Sequence, residues 1–223
     1  LFDQNYLEAH HNASQDCRRA MHQWDLGDRA GAMQQAQTLW TVGRSQPNAC
    51  DPLFDRWRAA GGLNDEIVWQ RIRLALLYRQ DALARYLAKL MQQNQALATL
   101  FVDTATQPEK LRDADNYRGL PASKMADIAT VSLRRLGRDD ASVALSLWPS
   151  YKDLPYSEED RLAITRDIGV YFTTRAWNLT THAIDPDVDE ARNYLREDFQ
   201  VAQSVERWGM VEGVGAATPE KPH

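Results

Sequence analysis

The sequence predicts an all-α protein, a superhelix or solenoid of antiparallel helix pairs, and two observations lead to this fold class. Apolar residues recur at helical spacing along most of the 223 residues, whereas the strict alternation of a half-buried strand is nearly absent. Turn-forming residues interrupt the pattern at short intervals, so the predicted helices are short. Pairs of such helices cannot bury their apolar faces alone, and we therefore expect them to stack.

The first two helices are predicted over residues 13–25 and 29–40. Leu26 and Gly27 end the first helix, because glycine readily takes the left-handed conformation that follows a helix. Asp28 is a favourable N-cap for the second helix, whose small and apolar residues share one face.

Two further helix starts are marked by polar residues. Asp51 followed by Pro52 predicts an N-cap and a proline at the first helical position, which opens a third helix. Asn64 caps a fourth helix rich in apolar residues, and a fifth begins near Asp81.

The second half of the chain follows the same pattern. Helices are predicted over residues 95–104, 122–136, 140–147 and 188–208, and another opens with Ser157 as its cap. Gly137 and Pro149 are taken as helix ends, and the polar segment 107–120 as a connection. We expect one partial superhelical domain over residues 1–208 and a disordered Gly- and Pro-rich tail over 209–223.

An internal echo supports a repeat architecture. Leu26-Gly27 leads through an acidic cap and Ala-spaced residues to Trp40, and Leu136-Gly137 leads likewise to Trp148. The stacking would be like that of tetratricopeptide repeats, although the match to their pattern of about 34 residues is loose.

Composition excludes several classes of function. The net charge is −5, with 26 basic and 31 acidic residues, and no basic cluster predicts a nucleic-acid partner. No apolar window is long enough to predict a membrane span. His11 and His22 lie eleven positions apart, about 16 Å along a helix, which is too far for one metal ion. His10, next to His11, does not complete a metal site with His22 either. We therefore expect neither a metal nor a cofactor.

The chain contains two cysteines, Cys17 and Cys50, which bracket a predicted helical hairpin. A hairpin of this length permits a disulfide, and two unpaired buried thiols are equally compatible with the spacing. The residues alone leave both interpretations open.

The segment around the second cysteine resembles a known family. The stretch from Gln37 to Gly61, which contains Ser45-Gln46-Pro47-Asn48-Ala49-Cys50-Asp51, is similar to part of the soluble lytic murein transglycosylases of Gram-negative bacteria. The segment Trp69-Gln70-Arg71-Ile72-Arg73-Leu74-Ala75 fits the same region. The resemblance implies a disulfide between Cys17 and Cys50 and a periplasmic location.

The resemblance also implies an architecture and an activity. Such enzymes carry an N-terminal superhelical domain, a linker domain and a C-terminal lysozyme-like catalytic domain. They cleave the bond between N-acetylmuramic acid and N-acetylglucosamine in peptidoglycan and leave 1,6-anhydro products, so they are lyases. The chain begins at Leu1 without a methionine and is expected to be a piece of such a parent, with the linker and catalytic domains as its partners.

No catalytic residue is carried over. The family's catalytic Glu-Ser pair and its Gly-Leu-Met-Gln segment do not occur in this sequence, so this chain is expected to lack the catalytic domain and to have no turnover of its own. Contact with the glycan or the peptide stems is predicted at Arg56, Trp57, Trp69 and Arg71. The alternative for the arginines is pairing with nearby acids such as Asp55 and Asp65, and the tryptophans would then be core residues.

A second function from another class stays open at this point. A tetratricopeptide-like module that binds a protein or peptide partner would show the same helical periodicity.

Overall fold

The computed structural model describes residues 12–179, with side chains through residue 170. Within this range every regular element is an α-helix or a short 3-10 helix, which confirms the all-α prediction. The chain divides into two compact units, Leu1–Gln107 and Pro108–His223. The predicted helix over residues 188–208 and the tail over 209–223 lie outside the described residues.

The N-terminal unit contains six described α-helices. They are α1 (Ala13–Asp25), α2 (Arg29–Trp40), α3 (Asp51–Ala59), α4 (Asp65–Leu77), α5 (Asp81–Ala88) and α6 (Gln95–Thr106). The helices α1, α2 and α3 pack on one another, and α4, α5 and α6 form a second group. Each group places its apolar faces inward, as the helical periodicity predicts.

Polar caps begin several of these helices. The Asp28 carboxylate accepts a hydrogen bond from the Gly31 N–H at 2.9 Å, and the Asn64 side chain accepts one from the Ile67 N–H at 3.0 Å. Both predicted caps are therefore confirmed. Each satisfies an N–H group that the first turn of a helix leaves without a partner.

The predicted cap at Asp51 is wrong. A short 3-10 helix, Asn48–Cys50, runs directly into α3, and Cys50 occupies the N-cap position without a side-chain capping bond. Asp51 is consequently the first helical residue and Pro52 the second. The proline is still tolerated there, because the first N–H groups of a helix have no intrahelical partner.

Asp65 joins two helices of the second group. Its carboxylate, in the first turn of α4, accepts hydrogen bonds from the N–H groups of Gln92, Gln93 and Asn94 at 2.7, 3.0 and 3.3 Å. These three residues lead into α6. The hydrogen bond from Gln92 is the largest of the effects that lower the Asp65 pKa below its ordinary value of 3.8.

The C-terminal unit contains three described α-helices. They are α7 (Ala122–Asp139), α8 (Ala141–Tyr151) and α9 (Glu158–Leu179), and two 3-10 helices, Pro108–Arg112 and Ala114–Tyr117, precede them. The three α-helices pack on one another. The Tyr151 hydroxyl donates a 2.5 Å hydrogen bond to the Leu111 carbonyl oxygen, which fastens the first 3-10 helix to α8, and burial raises the pKa of Tyr151 to about 12.

Two predicted helix ends in this unit are wrong. The helix α7 continues through Gly137 to Asp139, and α8 continues through Pro149 to Tyr151. Gly137 is where α7 approaches α9, because a Cβ there would lie 3.1 Å from the Ile168 backbone nitrogen. By contrast, Gly27 has a φ of 97° and does end α1, so the two glycines of the sequence echo have different roles.

Asp167 is a buried carboxylate between α7 and α9. It is 4% exposed, and its Oδ2 atom lies 2.8 Å from the Arg134 Nε atom and 2.9 Å from an Nη atom of Arg138. Arg166 approaches the other oxygen at 3.6 Å. The buried negative charge in this unit is therefore compensated by several cations.

Two classes of site receive no support from the described part of the chain. None of its helices is long and apolar enough to cross a membrane. Among the same residues no group of three or more His, Cys, Asp or Glu side chains could hold a metal ion. His22 is exposed on α1, and His10 and His11 lie outside the described range.

Candidate functional site

The two cysteines form a disulfide. Cys17 in α1 and Cys50 at the start of α3 are both fully buried, and their Cα atoms are 5.0 Å apart. The bond joins α1 to α3 across the helical hairpin. The interpretation as two free thiols is thereby excluded, and the disulfide that the resemblance implied is confirmed.

The tryptophans of the predicted contact surface are core residues. Trp57 and Trp69 are each 1% exposed. The Trp57 ring packs on Trp40 with a centroid separation of 5.6 Å, and the Trp69 ring packs on Phe101 at 4.8 Å. A glycan at the surface of this unit therefore has no access to either ring, which corrects the prediction of contact by Trp57 and Trp69.

Arg56 pairs with an acid, as the alternative interpretation expected, but the partner is Asp25 on α1 and not Asp55 or Asp65. Its guanidinium lies 2.6 Å from the Asp25 carboxylate and 5.4 Å from the centroid of the Trp24 ring. Both ion-pair partners are exposed. Arg58 likewise pairs with Asp55, three residues before it on α3. Such surface pairs contribute little to stability, and their positive charge is already balanced.

Unlike Arg56 and Arg58, Arg71 is buried. It is 6% exposed and lies on α4 with its guanidinium 4.4 Å from the centroid of the Trp40 ring on α2. One Nη atom donates a 3.3 Å hydrogen bond to the Arg44 carbonyl oxygen. The Nε atom is buried and has no hydrogen-bond partner among the described residues.

The groups around Arg71 do not compensate its positive charge. The Tyr86 phenol raises the pKa of Arg71 and the Arg58 guanidinium lowers it, and no Asp or Glu of the described residues forms an ion pair with Arg71. Burial is the main cause that lowers the Arg71 pKa to about 10. The guanidinium remains protonated at neutral pH, so a positive charge is held at low exposure.

Several aromatic and basic residues lie near Arg71. We call the group Arg44, Arg58, Arg71 and Tyr86, with the Trp40 ring beneath it, the Arg71 cluster. Tyr86 is 55% exposed, and Arg44 and Arg58 are also exposed. Tyr78 borders the cluster, since its ring lies against Gly43, next to the Arg44 carbonyl.

Sequence reasoning named Arg71 but missed its environment. Ile67 and Ala75, one helical turn before and after Arg71 on the same face of α4, are buried. A cation at that spacing indicates burial rather than a solvated surface. The partners Tyr86 and Trp40 come from other helices, and no local pattern could have identified them.

The glutamates of the described residues all lie at the surface. Residues 12–179 contain four, namely Glu66, Glu109, Glu158 and Glu159, and all four are exposed. A carboxylic acid that protonates a glycosidic oxygen is instead held in an apolar cleft.

Comparison with known proteins gives one consistent set of relatives. The chain is 32% identical over 183 residues to the soluble lytic murein transglycosylase of Escherichia coli K12 and 31% identical over 185 residues to that of Salmonella typhimurium. In each case the match covers 82% of this chain and 27% of the relative. The chain thus spans about a quarter of the length of these relatives.

Solved structures agree. The lytic transglycosylase Slt of Pseudomonas aeruginosa, solved as an inactive mutant, matches with a TM-score of 0.70 and 34% identity over 86% of this chain and 33% of its own. The 70-kDa soluble lytic transglycosylase of Escherichia coli matches with a TM-score of 0.62 and 26% identity, over 83% of this chain and 29% of its own.

Two family models match shorter stretches. One is described as the LssY C-terminus and covers residues 147–222, and the other as the Cucumovirus coat protein and covers residues 27–112. Neither match spans half of the chain, so neither defines its family.

Proposed function

We infer that this chain, a relative of the soluble lytic murein transglycosylases along four-fifths of its length, is a non-catalytic helical scaffold segment of a periplasmic enzyme of that kind. The observation that carries this proposal is the extent of the match. It reaches 82% of this chain but only 27% of the relative, so the shared part is a segment and not the whole enzyme.

The structure of the described residues supports a structural role for this chain. Its side chains form two helical cores, its glutamates are exposed, and its cysteines are joined in a buried disulfide. A buried disulfide fits an oxidising compartment such as the periplasm. We further propose that residues 1–208 continue the helical stacking as a superhelical domain.

The parent protein would supply the chemistry. We propose that it cleaves the bond between N-acetylmuramic acid and N-acetylglucosamine in peptidoglycan and releases 1,6-anhydromuropeptides. The linker and catalytic domains of that parent would be the immediate partners of this chain, and peptidoglycan would be its substrate.

A digestion assay tests the proposal. The native protein that contains this chain is isolated from its source with an antibody raised against the chain, and both are incubated with purified peptidoglycan sacculi. We expect 1,6-anhydromuropeptides from the native protein and none from the chain alone. A matched arm with heat-inactivated native protein corrects for spontaneous release.

Two outcomes would contradict the proposal. Release of anhydromuropeptides by the chain alone would show that it is itself catalytic. A native protein that binds protein partners and leaves sacculi intact would favour the interaction-module alternative.

A further inference from the structure

Arg71 is a buried cation whose charge the described residues do not balance. Taking an ionised side chain out of water is costly unless an opposite charge or a full set of hydrogen bonds replaces the lost hydration. Arg71 has one hydrogen bond, to the Arg44 carbonyl oxygen, and a stacking contact with Trp40. Among the described residues its Nε–H has no hydrogen-bond partner, and the neighbouring Arg58, which carries the same sign of charge, pairs with Asp55.

A second arginine of the same unit provides an internal comparison. Arg56 also lies over a tryptophan ring, that of Trp24, but it is more exposed and pairs with the Asp25 carboxylate. Among the described residues of this unit, an arginine over a tryptophan ring therefore has a carboxylate partner at Arg56 and none at Arg71. What Arg71 lacks, relative to Arg56, is a carboxylate.

The surroundings of Arg71 favour a ligand over a chance packing defect. The exposed residues around Arg71 include Arg44 and Tyr86, and none of them is an Asp or Glu that pairs with its guanidinium. Arg58 lies near it as well, but the charge of Arg58 is already balanced by Asp55. An aromatic ring beside a guanidinium suits a ligand that has both an anionic group and an apolar or sugar face. Buried charged groups held without a partner are frequently functional.

We propose that the Arg71 cluster binds a carboxylate of a peptidoglycan fragment, with Arg71 as the anchoring cation and Tyr86 as the exposed contact. This inference rests on the proposed function for the identity of the ligand. The carboxylate can come from the lactyl group of muramic acid or from a peptide stem. Both sources present the two oxygens that a guanidinium binds as a pair.

Calorimetric titration at neutral pH and low chloride tests the site. N-acetylmuramic acid supplies a lactyl carboxylate, N-acetylglucosamine is its uncharged match, and the stem tripeptide supplies the peptide carboxylates. We expect binding of at least one of the two carboxylate probes and none of N-acetylglucosamine. The probe that binds identifies the source.

The variant Arg71→Met removes the charge and keeps an apolar side chain over Trp40. We expect it to lose affinity by about tenfold or more, because hydrogen bonds to charged groups are among the stronger ones. The matched control is Arg56→Met, which removes the tryptophan-stacked arginine of the same unit that already has a carboxylate partner and should bind as the wild type does. Arg71→Met should also unfold at the same temperature as the wild type or higher, because an unbalanced buried charge is removed.

Nuclear magnetic resonance of the wild type keeps the test independent of folding. The buried Nε–H of Arg71 should shift on addition of the binding carboxylate, and the Nε–H of Arg56 should not. Absence of binding by both carboxylate probes, equal binding by Arg71→Met, or an unmoved Arg71 signal would overturn the site. None of these results affects the sacculus digestion by the native protein, so the proposed function stands or fails separately.

Discussion

The two units differ in whether a buried charged side chain has an opposite charge beside it. In the C-terminal unit, the buried Asp167 is paired with Arg134 and Arg138, so the charge is balanced inside the protein. In the N-terminal unit, Arg71 is similarly buried and faces no carboxylate among the groups that act on it. A buried charge that opposite charges compensate, as at Asp167, fits a structural role, whereas a buried charge without a counter-charge is typical of a functional site.

The units also differ in covalent support. Both cysteines of the chain lie in the N-terminal unit, where the disulfide joins α1 to α3. On the chain-entropy model, closing a loop of this length contributes about 4 kcal/mol. The unit that carries the buried Arg71 is thus also the unit with a cross-link.

The largest expected effect comes from removing the cross-link. Replacing Cys17 and Cys50 by Ala together should destabilise the N-terminal unit by about 4 kcal/mol, because the unfolded chain regains its freedom. Hydrogen exchange read by mass spectrometry should show lost protection in peptides of residues 12–107 and little change in those of 108–170. Reducing agent should affect the wild type in the same way and leave the double variant unchanged. Equal loss in both units would contradict the assignment of the bond to one of them.

The next effect concerns the charge cluster of the C-terminal unit. The variant Asp167→Asn should destabilise this unit by about 3 kcal/mol, because it leaves the partly buried Arg134 and Arg138 without their counter-charge. Urea unfolding followed by hydrogen exchange measures it. Asp153→Asn, at an exposed position in the same unit, is the control and should change stability by less than about 0.5 kcal/mol. A neutral effect of Asp167→Asn would show that the cluster does not stabilise the unit.

The smallest effect is a pH dependence within the N-terminal unit. Because the pKa of Asp65 is lowered on folding, its carboxylate contributes stability above the unfolded value of 3.8 and loses that contribution as the pH falls through the folded value. Asp65→Asn should therefore be less stable than the wild type by about 1 kcal/mol at pH 7. The difference should shrink below pH 3.8. Urea midpoints at pH 7 and pH 3 measure it, and a constant difference would contradict the role of the ionised carboxylate.

Local chemistry explains which helices the sequence could predict. Asp28 and Asn64 are short polar side chains before apolar faces, and their capping bonds depend on residues only three positions away. Gly137 and Pro149 carry equally local signals for a helix end, but packing overrides them. Gly137 is required for the approach of α9, and the last turn of α8 is retained because it buries Trp148 and Tyr151.

The candidate site was less accessible to sequence reasoning. Trp57 and Trp69 were expected at a surface because they lie next to arginines in the chain, yet helical spacing turns them into the core. The environment of Arg71 includes Trp40 and Tyr86, which lie on other helices and could not be identified from the residues next to Arg71 in the chain. The disulfide could be inferred from a family resemblance and not from the spacing of the cysteines.

Hydrogen exchange with and without soluble peptidoglycan fragments tests the central claim most directly. The claim is that the N-terminal unit contacts peptidoglycan through the Arg71 cluster while the C-terminal unit has a structural role. We expect slower exchange in peptides that contain residues 40–44 and 71–86 and unchanged exchange over 108–170. Slower exchange confined to the C-terminal unit, or no change in either unit at saturating fragment, would contradict it.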